Sequence, residues 1–158
     1  MNRKQFLKSL GLLAAAGITF KHNELYSMIK TKDNGVLMPA LFVGHGSPMY
    51  AIEENEFVQT WRSLGDSLPK PSAILAVSAH WETRGTQVTA MKQPQTIHDF
   101  GGFPQALYNV QYPAPGSPEL ASETIQTVKR TTILPDERWG LDHGTWSVIR
   151  RIYPDADI

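Results

Sequence analysis

The sequence predicts an α/β fold: a central, largely parallel or mixed sheet flanked by helices and truncated at its C-terminal side. Three observations carry that expectation. Two short apolar runs, residues 39–44 and 74–78, each stop at a polar loop, as buried strands do. The stretch between them, residues 53–68, places Phe57, Val58, Trp61, Leu64 and Leu68 at helical spacing. Strand-type and helix-type segments then go on alternating to the end of the chain, which is the pattern of a parallel sheet with crossover helices.

The elements follow in order. Pro39-Ala-Leu-Phe-Val-Gly44 reads as the first strand and opens into Gly-His45-Gly-Ser-Pro. The helix over 53–68 has Glu53, Glu54 and Glu56 near its start, where the helix dipole favours acid. After Pro69 and Pro71, Ile74-Leu-Ala-Val-Ser78 forms the second strand and ends on Ala79-His80-Trp81. In open α/β sheets ligands bind beyond the carboxyl ends of parallel strands, so His45 and His80 stand where a site is expected. Gln87–Met91 is a further strand, and residues 93–118 form a long loop with five prolines, long enough to expect a function. Ser117-Pro118 is an N-cap followed by proline at the first helical position, with Leu120, Thr124, Ile125 and Val128 on one face. Residues 131–134 make a strand, and residues 145–153 a last helix through Val148, Ile149, Ile152 and Tyr153. The next strand is due at residues 154–158, so the chain reads as part of a larger α/β domain.

Ahead of residue 38 the composition changes. Six basic residues face two acidic ones there, while the rest has nine against thirteen, so a net charge of zero conceals a basic head. Residues 1–20 run from a basic stretch into Leu10–Phe20 and read as a twin-arginine-like export signal, with Lys4 where the second arginine belongs. Periplasmic export is the expectation, and a cytoplasmic protein with a frayed tail the alternative. The apolar run is short of the about 20 residues that span a bilayer, so no stable membrane span is expected. Residues 21–37 read as a linker, and residues 38–158 as the N-terminal part of a catalytic domain. The balanced charge gives no pull toward nucleic acid. The absence of cysteine excludes thiolate metal sites, iron–sulfur clusters and cysteine nucleophiles.

The remaining chemistry lies with histidine. Of five, His45, His80, His98 and His143 lie in or beside loops that follow apolar runs. Each alone reads as a hydrogen-bonded loop residue. Two imidazoles at adjacent strand ends could instead converge on iron, zinc, copper or nickel, metals that favour nitrogen donors. Ser47 beside His45 does not make a hydrolase: Gly-x-Ser-x-Gly is absent, and Pro48 removes a backbone N–H that an oxyanion hole could use. The glycines form no nucleotide loop. Trp61, Trp139 and Trp146 read as packing.

Taken together, Gly44-His-Gly-Ser-Pro48, Ser78-Ala-His-Trp81, Ile97-His-Asp-Phe-Gly-Gly-Phe-Pro104, Tyr112-Pro-Ala-Pro-Gly-Ser-Pro118 and Trp139-Gly-Leu-Asp-His-Gly144 resemble, in order and spacing, the class III extradiol ring-cleavage dioxygenases of the DOPA 4,5-dioxygenase type. The resemblance runs from residue 38 to 158 and covers about the first half of such an enzyme. It implies a mononuclear divalent metal, Fe(II) for turnover with Zn(II) able to occupy the same site, and a catechol and O2 as partners. It implies His45 and His80 as metal ligands and His143 as a catalytic pocket histidine. His98 and Asp99 fall in a motif near the substrate mouth, while a further ligand and a catalytic base are implied in the C-terminal half. Trp81, Phe100 and Phe103 are candidates for an aromatic wall against a planar substrate. The rival expectation is a metal-binding interaction protein of the same fold that turns nothing over.

Overall fold

The computed structural model describes residues 38–156. The expected export signal and linker, residues 1–37, lie outside them. The chain divides into two compact units, one ending at Ala40 and one beginning at Leu41, and the second is described here. Its elements are a 3-10 turn at Pro48–Ala51, helix α1 at Glu56–Ser67, strand β1 at Thr86–Thr89, helix α2 at Gln105–Tyr108, helix α3 at Pro118–Thr127, strand β2 at Ile133–Asp136 and helix α4 at His143–Ile152. Among the described residues no helix is long and apolar enough to cross a membrane.

β1 and β2 pair in parallel, Thr86 opposite Ile133 and Thr89 opposite Asp136, and α3 packs on both. A parallel pair needs a crossover, and α3 lies within it. As the sequence predicts, Ser117 caps α3: its Oγ accepts from Leu120 N at 3.1 Å, with Pro118 in the first turn. α1 starts later than its apolar spacing implies, because Asn55 is the cap that accepts from Val58 N at 3.0 Å. Glu53 and Glu54 therefore precede the helix, and Glu54 pairs with Arg62 and Arg151 instead.

Two layers of packing hold α4. Val58 and Trp61 of α1 meet Val148, flanked by Tyr50 and Ile152. The two helices approach so closely at Gly65 that a Cβ there would lie 2.2 Å from the carbonyl oxygen of Ile152. On its other side Trp146, fully buried, joins Ala51, Leu107, Val110, Tyr112 and Ala114. The polar ends of the buried aromatics are satisfied: Trp146 Nε1 donates to Ile97 O at 2.8 Å and Tyr112 OH to Tyr153 O at 2.7 Å. The long loop at 93–118 is thus part of the core, and it contains the short helix α2.

The two leading apolar runs differ from expectation. Residues 39–44 and 74–78 form no strand, and Phe42 and Val77 are essentially fully exposed, at 104% and 95%. A strand exists only through a ladder partner that takes its N–H and C=O groups, and neither run has one among the described residues. A cavity of about 1020 Å³ lies between residues 72–78 and the surface made by β1, α3 and Ile133 of β2.

Candidate active site

Local chemistry fixes each histidine. After His45 the chain turns at Gly46, whose φ of +62° favours glycine and where a Cβ would come within 2.7 Å of the Tyr50 ring. Ser47 Oγ accepts from Met49 N at 3.2 Å and starts the 3-10 turn with Pro48 behind it. That turn is clamped by α4: Arg150 donates to Ala51 O at 2.5 Å, and the buried Arg151 donates to Tyr50 O at 2.8 Å and Glu53 O at 2.9 Å.

His80 follows Ser78, and its backbone N donates to Ser78 Oγ at 3.1 Å. His143 is the first residue of α4, capped by Asp142, whose Oδ1 accepts from Thr145 N at 3.1 Å. Asp99 reaches over from the long loop. Its Oδ1 accepts the His143 backbone N–H at 2.9 Å and lies 2.9 Å from His143 Nδ1. The second contact is out of line with the ring N–H and leaves Nδ1 without a directed hydrogen bond, so its attraction is electrostatic.

The three rings meet. His45 and His80 bring their Nε2 atoms to 2.8 Å, and the centroid of His143 lies 4.1 Å from that of His80 and 5.1 Å from that of His45. One nitrogen from each lies within 4.8 Å of the others. Burial lowers the His45 pKa from the ordinary 6.5, and the neighbouring His143 and His80 lower it further. A neutral imidazole is the form a metal requires. The Nδ1 of His45 is buried and makes no directed hydrogen bond. This all-nitrogen donor set fits a divalent transition metal. Burial raises the Asp99 carboxyl, but the His143 backbone N–H and the nearby imidazole more than offset that and hold it below the usual carboxylate range.

Residues 39–157 match the family model described as the catalytic LigB subunit of aromatic ring-opening dioxygenase.

The chain belongs to the LigB family.

This LigB chain is 59% identical over 122 residues to the 4,5-DOPA dioxygenase extradiol of Escherichia coli (strain K12), covering 77% of this chain and 45% of that one. It is 41% identical over 135 residues to the protein of the same name from Beta vulgaris, covering 81% and 49%. A crystal structure of an uncharacterized protein from Escherichia coli K12 matches with a TM-score of 0.53 at 45% identity, covering 68% of this chain and 39% of that one. The LigB chain therefore spans about half the length of the relatives it matches.

The other predicted residues fall around the triad at different depths. Asp99 touches His143, and Phe100 stands edge-on to it at 5.5 Å. Phe103 and His98 reach the triad through Phe100, at 5.3 and 5.7 Å. His98 Nε2 is 2.9 Å from Val110 O, and its ring lies against Tyr108 and Trp146. Trp81 lies parallel to Trp139 at 6.0 Å, and both line the large cavity, which none of the three histidines borders. Two residues were quoted in the motifs without a role of their own: Ser78, and Asp142, which is 2% exposed. An aspartate directly ahead of a helical pattern is an N-cap signal, and it marks Asp142.

Proposed function

We propose that this chain supplies the metal-binding portion of an extradiol dioxygenase that opens the ring of DOPA-like catechols with O2. The observation that carries the reading is the gathering of His45, His80 and His143 from three separate segments to one point. In it His45 and His80 hold one divalent metal, and His143 serves the substrate. Fe(II) bound there supplies the redox step that lets O2 react with a catechol and lowers the pKa of the diol, whereas Zn(II) fills the same ligands without redox chemistry. The side chains do the rest. Asp99 holds the start of the His143 helix through the backbone N–H and sits beside the Nδ1 edge, so Nε2 is the nitrogen left to exchange a proton with a substrate hydroxyl. Phe100, with Phe103 and His98 behind it, offers an aromatic edge for a planar ring, whereas Trp81 stacks on Trp139 along the large cavity that no histidine of the triad borders. The basic, then apolar, first twenty residues support export to the periplasm. Retention of Met1 in a protein found only in the cytoplasm would refute that part.

The decisive experiment is oxygen uptake by Fe(II)-reconstituted protein continued through the length its relatives have, with DOPA and simple catechols. Catechol-dependent uptake with a yellow ring-opened product is expected, lost in His45→Ala and in His80→Ala. No uptake despite stoichiometric metal would establish a metal-binding protein without turnover.

A further inference from the structure

The triad draws on segments that share no secondary structure, so something must hold them in register. The carboxylate of Asp142 is in contact with the supports of both His80 and His143. Its Oδ1 accepts from Ser78 Oγ at 2.8 Å and from Thr145 N at 3.1 Å, and its Oδ2 faces Trp139 Nε1 at 3.3 Å. Ser78 Oγ in turn accepts the backbone N–H of His80 at 3.1 Å. The chain of contacts therefore runs from His80 N–H through the Ser78 hydroxyl to the Asp142 carboxylate, and from there into the first turn of α4, where His143 begins. The seat is tight. A Cβ on Gly144 would lie 2.5 Å from His80 Cδ2 and 3.2 Å from both His80 Nε2 and Ser78 Oγ, so the His80 ring occupies the space a side chain would need.

We infer that Asp142, acting through the Ser78 hydroxyl, is the positioning residue that docks the His80 loop on the start of α4 and holds two of the three imidazoles at one point. The hydroxyl is required because it must accept from His80 N and donate to Asp142 at once, which a methyl group cannot do. The strength of the link comes from burial: a carboxylate 2% exposed makes charge-assisted hydrogen bonds that water does not compete for. Without the hydroxyl, residues 74–80 have no ladder partner among the described residues to fall back on, and His80 is free to leave Gly144.

The inference rests on the metal-binding reading, and Co(II) titration of this chain, followed by its visible absorption, separates the two. If the unaltered chain takes up no Co(II), the metal reading itself fails. If it binds, Ser78→Ala is expected to weaken Co(II) about 10- to 100-fold, the range for residues that orient ligands, and to change the absorption bands at saturating metal. Ser78→Thr, which keeps the hydroxyl, restores both. Asp142→Asn is expected to weaken binding as well, and Ser78→Ala combined with it to lose no more than the larger single effect, since both cut one connection. Wild-type affinity and bands in Ser78→Ala, no restoration by Ser78→Thr, or fully additive losses would each overturn the inference. Should Asp142→Asn fail to fold, the serine pair decides.

Discussion

The two sides of the histidine triad are built to different standards. His143 begins a helix that is buried on both faces, held by Trp146 and Val148, with its own backbone N–H taken by Asp99. His45 and His80 end two apolar runs that lie open, with Phe42 and Val77 exposed, and they are held by turns and hydrogen bonds, among them the arginine clamp from α4 and the link from Ser78 to Asp142. Site geometry and fold stability therefore reside in different residues of this chain. The part that keeps the unit folded holds one histidine, and the apolar runs that lead to the other two, residues 39–44 and 74–78, contribute little apolar burial.

Substitutions test that division. Trp146→Ala should have the largest effect, about 3–5 kcal/mol of stability lost from a fully buried aromatic, read as a lowered midpoint in urea. A midpoint unchanged there would place the core elsewhere. Gly65→Ala comes next, at about 1–3 kcal/mol for forcing a methyl group against the Ile152 carbonyl, again by urea midpoint and with the α1–α4 contact as its cause. The pH dependence of His45 is smaller. Its folded pKa lies below the unfolded 6.5, so between those values the unfolded chain binds more protons. Metal-free stability should hold above pH 6.5 and decline as pH falls toward the lowered folded value, and His45→Gln should flatten that decline in thermal melts at a series of pH values. Least of all, Phe42→Ser and Val77→Ser should shift the urea midpoint by no more than about 0.5 kcal/mol while reducing self-association in sedimentation. A large loss of stability from either would show that the exposed runs are part of the folded core after all.

Helices and caps could be read directly because their signals are local. Ser117-Pro118 and the apolar spacing of α1 need only neighbours in sequence, and α3 begins where they say. The runs at 39–44 and 74–78 have an equally clear composition, but a strand is a property of a pair, and composition cannot supply the partner. The site was legible for the opposite reason: three of its imidazoles sit in strings specific enough to resemble a family in order and spacing. The links behind them, from Ser78 to Asp142 and from Asp99 to His143, span 64 and 44 residues, and no periodicity within one segment encodes a hydrogen bond across that distance. Phe100 was read as part of a wall, yet its edge-on contact with His143 depends on how a glycine-rich loop folds back.

The arginine clamp from α4 has a consequence for the order of events during synthesis. The turn that sets His45 is gripped by Arg150 and Arg151 at separations of 98 to 101 residues. Contacts of such long range are made late, after the entropy of closing the loop has been overcome. His45 and His80 therefore emerge from the ribosome long before α4 exists to hold them. During that interval two apolar runs and two imidazoles are exposed together on a growing chain, and a metal captured then would be held by an unfinished site. Only the release of residues near 151 lets the arginines grip the turn, so the position of His45 is completed by the last helix of the described chain.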